Sequence, residues 1–196
     1  MSVLRSYLLI IGACLMFMAC GQTLPDPLGE SADDAFEAGR QYQEGGELEL
    51  AGRAFAKSIE RNPRFLLARY NLGLVLQSRG ETAQALEQML KVVEIDPRLS
   101  GAHVSVAELK LSLGEVESAL KSVNKALELE PGNVEGMQTK AKALEILGRL
   151  DASLSVIEEL SRVGGNTKEF RVMAARLNHR LGKKVKAMSE YEGLIR

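Results

Sequence analysis

The sequence has no tryptophan, and its two cysteines, Cys14 and Cys20, both lie in the first twenty residues. The rest of the chain carries no thiol, so no disulfide framework can form there. Its two histidines, His103 and His179, are far apart and have no partner at metal-ligand spacing, so the His/Cys cluster that zinc needs is missing. Serines are scattered without a nucleophile motif. Gly182-Lys183 fails as a phosphate loop, because the earlier glycine would fall at Leu177 and no strand precedes it. Adjacent carboxylates such as Glu158 and Glu159 point in different directions on a helix, which suits a solvated face. These absences predict a protein that is not an enzyme and has no cofactor or metal. Aromatics make up 5% of the chain and do not interleave with basic residues as base stacking requires, which argues against nucleic acid. The longest apolar run, Tyr7 to Ala19, is shorter than the ~20 residues of an ordinary membrane span.

What is present is a repeat. Gly46, Gly80, Gly114, Gly148 and Gly182 stand 34 residues apart with no insertion. Ala51, Ala85, Ala119, Ser153 and Ala187 keep the same step, and Pro63, Pro97 and Pro131 hold it for three copies before Gly165 replaces the proline. Within one copy, apolar residues from Phe65 to Leu76 are too dense for a one-sided surface helix, so this segment is expected to be buried on more than one face. Gly80 can take the left-handed cap conformation that ends it. A second helix follows, and Pro97 stops that one while pushing Asp96 out of the helical region. Helices are expected at 33–45 and 47–61, 66–79 and 82–95, 100–113 and 116–129, 134–147 and 150–163, and 168–181 and 184–195. No single pair buries both its faces, so neighbours must stack.

A 34-residue helix–turn–helix period is the tetratricopeptide repeat (TPR) signature. The resemblance to that family covers residues 32–196, with copies at 32–65, 66–99, 100–133, 134–167 and 168–196. The family's small eighth residue is Gly39, Gly73, Ala107, Ala141 and Ala175. Its large eleventh is Tyr42, Leu76 and Leu144, with departures at Lys110 and Asn178. Its twenty-fourth is Phe55, Met89, Val123, Ile157 and Tyr191. The bulky fourth position is poorly kept, as Ala35, Arg69, His103, Met137 and Arg171. The resemblance implies an all-α fold, a right-handed α-solenoid of five helix pairs.

Residues 1–19 read as an export signal. Phe17-Met18-Ala19-Cys20 resembles the bacterial lipobox, although leucine is usual at the position of Phe17. Ile11-Gly12-Ala13-Cys14 fits by residue type, but cutting there leaves a very short apolar core. The resemblance implies that Cys20 is lipidated and that acyl chains hold the protein on a membrane. Gly21, rather than Asp, follows it, which by the family's sorting rule implies the outer membrane, facing the periplasm of a Gram-negative envelope. Residues 20–31 form a Pro/Gly-rich tether. At the fourth junction, Val163-Gly164-Gly165-Asn166 replaces proline with glycines and is expected to be the most flexible join.

In the TPR family the first helix of each pair lines a groove that binds a protein or peptide partner. Here that implies Phe36, Arg40 and Gln43, then Leu67, Tyr70, Leu74 and Gln77, then Val104, Glu108 and Leu111. Gln138, Lys142 and Glu145 follow, and then Val172, Arg176 and His179. Asn71 alone matches the clamp by which chaperone-binding members grip a terminal carboxylate, so that clamp is absent. An apolar first half beside a charged second half suits an extended or helical peptide. Tyr70, Leu67 and Leu74 could instead simply pack on the neighbouring repeat. In architecture the chain resembles envelope lipoproteins that help assemble type IV pili and their secretins (pilotin-type lipoproteins), or that tether envelope enzymes. This predicts a membrane-anchored scaffold in cell-envelope assembly.

Charge suggests an alternative. Eight acids and one base lie between Asp26 and Leu50, and seven bases and one acid between Lys168 and Ser189. The bland account is solvated outer faces. The sharper one is a homo-oligomer, stacked head to tail through an uncapped last repeat at Met188, Tyr191, Leu194 and Ile195.

Overall fold

The computed structural model describes residues 31–163 and 167–193. Cys14, Cys20, the export signal, the tether through residue 30, Gly164, Gly165, Asn166, Leu194 and Ile195 lie outside the described residues. Among the described residues the chain is all-helical, with ten helices in five consecutive pairs. It divides into two compact units, Met1–Pro63 and Arg64–Arg196.

The first unit holds α1 (Ala32–Glu44) and α2 (Leu48–Arg61). Ser31 starts α1 with a capping box: its hydroxyl accepts from the Asp34 amide and its amide donates to Asp34, both at 3.0 Å. The helices close on Gly39, where an added Cβ would stand 2.6 Å from the Phe55 ring. Ser58, fully buried, donates to the Ala32 carbonyl at 2.7 Å and ties the two helices together.

The second unit holds four pairs: α3 (Leu66–Ser78) and α4 (Thr82–Ile95), α5 (Ser100–Ser112) and α6 (Val116–Leu129), α7 (Val134–Ile146) and α8 (Leu150–Val163), α9 (Lys168–Arg180) and α10 (Lys184–Glu192). Each helix packs on the next, and α5 also packs on α7. The expected boundaries hold to within one residue, except that the described part of α10 ends at Glu192 rather than 195.

Local chemistry explains the two strongest sequence series. After α3 the Glu81 amide donates to Leu76 O at 2.9 Å and the Gly80 amide to Gln77 O at 3.0 Å, a Schellman cap. Gly80 sits at φ +79°, and nothing lies within 4 Å of where its Cβ would be. Glycine is therefore required by backbone conformation rather than by space, and the other four glycines of the series share positive φ. Asp96, before Pro97, leaves the helix at φ −132°, ψ 93°, as the proline demands.

Facing positions conserve volume. Gly73 stands opposite Met89, with 2.8 Å between its notional Cβ and Cε. In the third and fourth pairs, where alanine replaces glycine at this position, the second helix presents a β-branched residue: Ala107 clusters with Val123, and Ala141 with Ile157. The fifth pair departs from this, with Ala175 and a Tyr191 that is 43% exposed. The erratic fourth position also has an explanation. Arg69 reaches Gln88 at 3.1 Å, and Arg171 reaches Glu190 at 3.2 Å, so in both cases an arginine ties the first helix to the same position of the second.

Candidate functional site

The expected groove residues of α1 sit on their own unit. Phe36 packs on Phe55 with ring centroids 5.7 Å apart. Arg40 pairs along its helix with Glu44 at 3.0 Å and Glu37 at 3.6 Å.

On α3 the expected apolar surface is largely internal. Tyr70 and Leu74 are half-buried against the cluster of Leu76, Ala85, Met89, Val106 and Leu109. The Tyr70 hydroxyl reaches towards Gly101 of α5, 3.9 Å from where a Cβ would stand, an ordinary van der Waals distance. Asn71 spends its amide on its own helix, donating to Leu67 O at 2.8 Å. Gln77 is half-buried, and Leu67 remains 53% exposed.

Val104 corrects the sequence reading. It was expected on the binding face, but it is 1% exposed. It packs against α7 at Gly136, whose notional Cβ would stand 3.4 Å from Val104 Cγ2. The tighter limits on a side chain at position 136 are Leu127 Cδ2 and Asn133 Oδ1, each 3.2 Å from the notional Cβ. Leu111 is likewise drawn in, half-buried against Ala107, Ala119 and Val123.

Five of the remaining expected residues converge. Glu108 of α5, Gln138, Lys142 and Glu145 of α7, and Arg176 of α9 line one open cavity of about 420 Å³, together with Thr139 and Met173. Arg176 donates to Glu145 at 2.6 Å and Arg180 donates to its other oxygen at 2.5 Å. The Glu145 side chain is 16% exposed, so these two charge-assisted bonds compensate a carboxylate largely removed from water. Thr139 donates to Glu108 at 3.3 Å. Burial pushes the Glu108 carboxyl above its usual range, and the charge of Glu135 adds to this; the Thr139 hydroxyl and Lys142 pull the other way. Val172 and His179 are exposed and lie outside the lining.

Thr139, Met173 and Arg180 were missed by sequence reasoning. Thr139 and Met173 occupy the sixth position of their repeats, which lies three residues from the ninth and so on the same helix face. That spacing was the available signal. Among the described residues no cluster of His, Cys, Asp or Glu could hold a metal, and no helix is long and apolar enough to cross a membrane.

Helix pairs at a fixed period, with α5 packed on α7 and a mixed-charge cavity lined from α5, α7 and α9, define a repeat protein of the protein–protein interaction class. Two family profiles, each described as tetratricopeptide repeat, match residues 36–100 and 100–133, together half the chain. The chain belongs to the tetratricopeptide repeat family. Solved structures share its fold. MamA from Desulfovibrio magneticus RS-1 superposes at a TM-score of 0.80 with 14% identity, covering 86% of this chain and 95% of that one. YrrB, described as a TPR protein with an unusual peptide-binding site, gives 0.72 with 18% identity, covering 84% and 85%. PilF of Pseudomonas aeruginosa gives 0.72 with 20% identity, covering 82% and 73%. No curated protein matches the chain. TPR proteins bind protein or peptide partners, and the family is typically non-catalytic.

Proposed function

We propose that this chain is a lipid-anchored envelope adaptor that holds an extended segment of a protein partner against α5, α7 and α9. The observation that carries the binding part is the cavity over Glu108, Lys142, Glu145, Met173 and Arg176. It draws side chains from three successive first helices, is open to solvent, and mixes an apolar wall with charges of both signs, which is what a peptide site requires. The peptide-binding description of YrrB agrees in kind. The anchoring part is supported by the lipobox-like sequence ending at Cys20, and the outer-membrane destination by Gly21. Assembly of an envelope machine is the role that such an anchored scaffold would serve.

The head-to-tail alternative has one observation in its favour: Val185, Met188 and Tyr191 of α10 are exposed by 83%, 61% and 43%. Against it, α1 offers no matching apolar surface, although its acids complement the basic last pair in charge. The register positions that Ala102, Val106 and Leu109 fill with buried apolar side chains on α5 are Asp34, Ala38 and Gln41 on α1. A polar face of this kind is typical of a capping element.

The test is in-cell photo-crosslinking from Met173, with Met188 as the second site, and mass spectrometry of the adducts. The expected result is one discrete envelope protein captured from Met173. Adducts only from Met188, consisting of the protein itself, would reject the cavity and favour stacking. In parallel, Cys20→Ala should release the protein from the membrane fraction; a variant that stays bound would rule out the lipid anchor.

A further inference from the structure

The cavity holds two carboxylates in unlike circumstances. Glu145 is compensated twice, by Arg176 and Arg180. Glu108 is half-buried and its side chain has one hydrogen-bond partner among the described residues, the neutral Thr139 hydroxyl at 3.3 Å. An ionised carboxylate offers about four acceptor positions, so most of its capacity is left to solvent or to a ligand. Lys142 lines the same cavity, is exposed, and also has no ion-pair partner among the described residues. An acid and a base thus share one cavity without a direct ion pair, although Lys142 is near enough to draw the Glu108 carboxyl down. Such a pair is poised for charges that arrive from outside.

We infer that the cavity recognises a lysine or arginine side chain of the partner segment, with Glu108 as its counter-ion and Met173 covering its aliphatic stem, while Lys142 and Arg176 receive an acidic group further along the same segment. The inference rests on the peptide-binding reading and gives it a direction: base over α5, acid towards α9. Packed helix axes stand ~8–10 Å apart and an extended peptide advances ~3.3 Å per residue. The basic and acidic residues therefore stand roughly three residues apart if the acid meets Lys142, and five or six if it meets Arg176. Arg176 is already oriented by Glu145 at 2.6 Å yet keeps other N–H groups free to donate, since a guanidinium has five. Thr139 fixes the Glu108 carboxylate from the adjacent helix, so the counter-ion is held in place before the ligand arrives.

The test uses phage-displayed random dodecamer peptides selected against the full chain in detergent micelles, with Glu108→Gln and Lys142→Glu variants alongside. Wild type should enrich peptides with Lys or Arg at one position and Asp or Glu three to six residues to one fixed side. The best peptide, synthesised, should bind Glu108→Gln at least tenfold more weakly, about 1.4 kcal/mol. That variant's melting temperature should not fall, which separates lost recognition from lost fold. With Lys142→Glu the acidic preference should disappear and the basic one persist. Enriched peptides without a basic position, or equal binding to Glu108→Gln, would overturn this inference and leave the peptide-binding reading standing. Failure to enrich any peptide would remove both.

Discussion

The fourth and fifth helix pairs place equivalent positions in opposite circumstances. In α7 and α8 the eleventh, twenty-first and twenty-fourth residues of the repeat are Leu144, Leu154 and Ile157, exposed by 6%, 6% and 0%. In α9 and α10 the same positions are Asn178, Met188 and Tyr191. Asn178 is 4% exposed with its Oδ1 unpaired, and Met188 and Tyr191 are 61% and 43% exposed. Leu154 is buried because Phe170, Ala174 and Leu177 of the next first helix share its cluster. Met188 has no described helix in that place. The register of a repeat decides where a side chain points, and the neighbouring repeat decides whether it is core. The fifth pair is joined in part by polar contacts instead, with Arg171 donating to Glu190 at 3.2 Å and to the Gly193 carbonyl at 2.8 Å.

The largest effect should come from deepening the contrast on its buried side. Leu154→Ala removes a side chain enclosed by two helix pairs and should cost about 3 kcal/mol, through lost burial and the cavity left behind. Urea unfolding followed by circular dichroism measures it. A cost under ~1 kcal/mol would mean that the cluster around Leu154 collapses freely and is not the core it looks like. Next in size is a change that reduces the contrast. Asn178→Leu installs the residue type that Leu76 and Leu144 provide at this position, and it removes a buried amide oxygen without a partner. It should raise stability by about 1–2 kcal/mol. A loss of stability would show that the asparagine is satisfied in solution.

Glu108 is the other under-partnered polar group, and it gives a pH test. Its carboxyl is raised by burial and by Glu135, with Thr139 and Lys142 opposing. A carboxyl raised in the fold resists ionisation there. The stability it contributes is full below the ordinary glutamate value of ~4.3 and is lost as pH rises through the folded-state value. Glu108→Gln should therefore gain on wild type between about pH 4 and pH 7, read as the difference between the two melting temperatures. Glu135 and Lys142, both on α7, are the charges that act on Glu108, and Glu135→Gln should diminish the gain. If wild type gained on the variant over that interval, the sign would be refuted.

Much of this fold was legible in the sequence because it rests on local chemistry. A Schellman glycine every 34 residues and a proline after each of the first three pairs fix helix ends without reference to tertiary contacts. The site was legible in part. The ninth-position residues Glu108, Lys142 and Arg176 do converge, since helical register alone aims them at one face. Val104 was misplaced because it is covered by contact with α7 at Gly136, 32 residues away and on a different helix. Tyr70 and Leu74 have the composition of a binding patch, yet Val106 and Leu109 of the next pair help to bury them. Thr139 and Met173 were overlooked because the family's groove positions took precedence over the i, i+3 geometry. For Val104, Tyr70 and Leu74 the missing information was the identity of the neighbour.

The smallest expected effect is also the most discriminating. Met188 and Leu154 share a register position, so Met188→Ala repeats the first experiment where no described helix takes the neighbour's place. With 61% of Met188 already exposed, the truncation removes surface mainly from water. Stability should change by no more than about 0.5 kcal/mol, as at other exposed sites. The measurement is best made at two protein concentrations a hundredfold apart. A small, concentration-independent change supports α10 as a free face and leaves the cavity as the binding surface. A cost approaching that of Leu154→Ala, present at high concentration and absent on dilution, would mean that a second copy covers Met188 in solution. Stacking through α10 would then outrank the cavity despite the polar positions on α1.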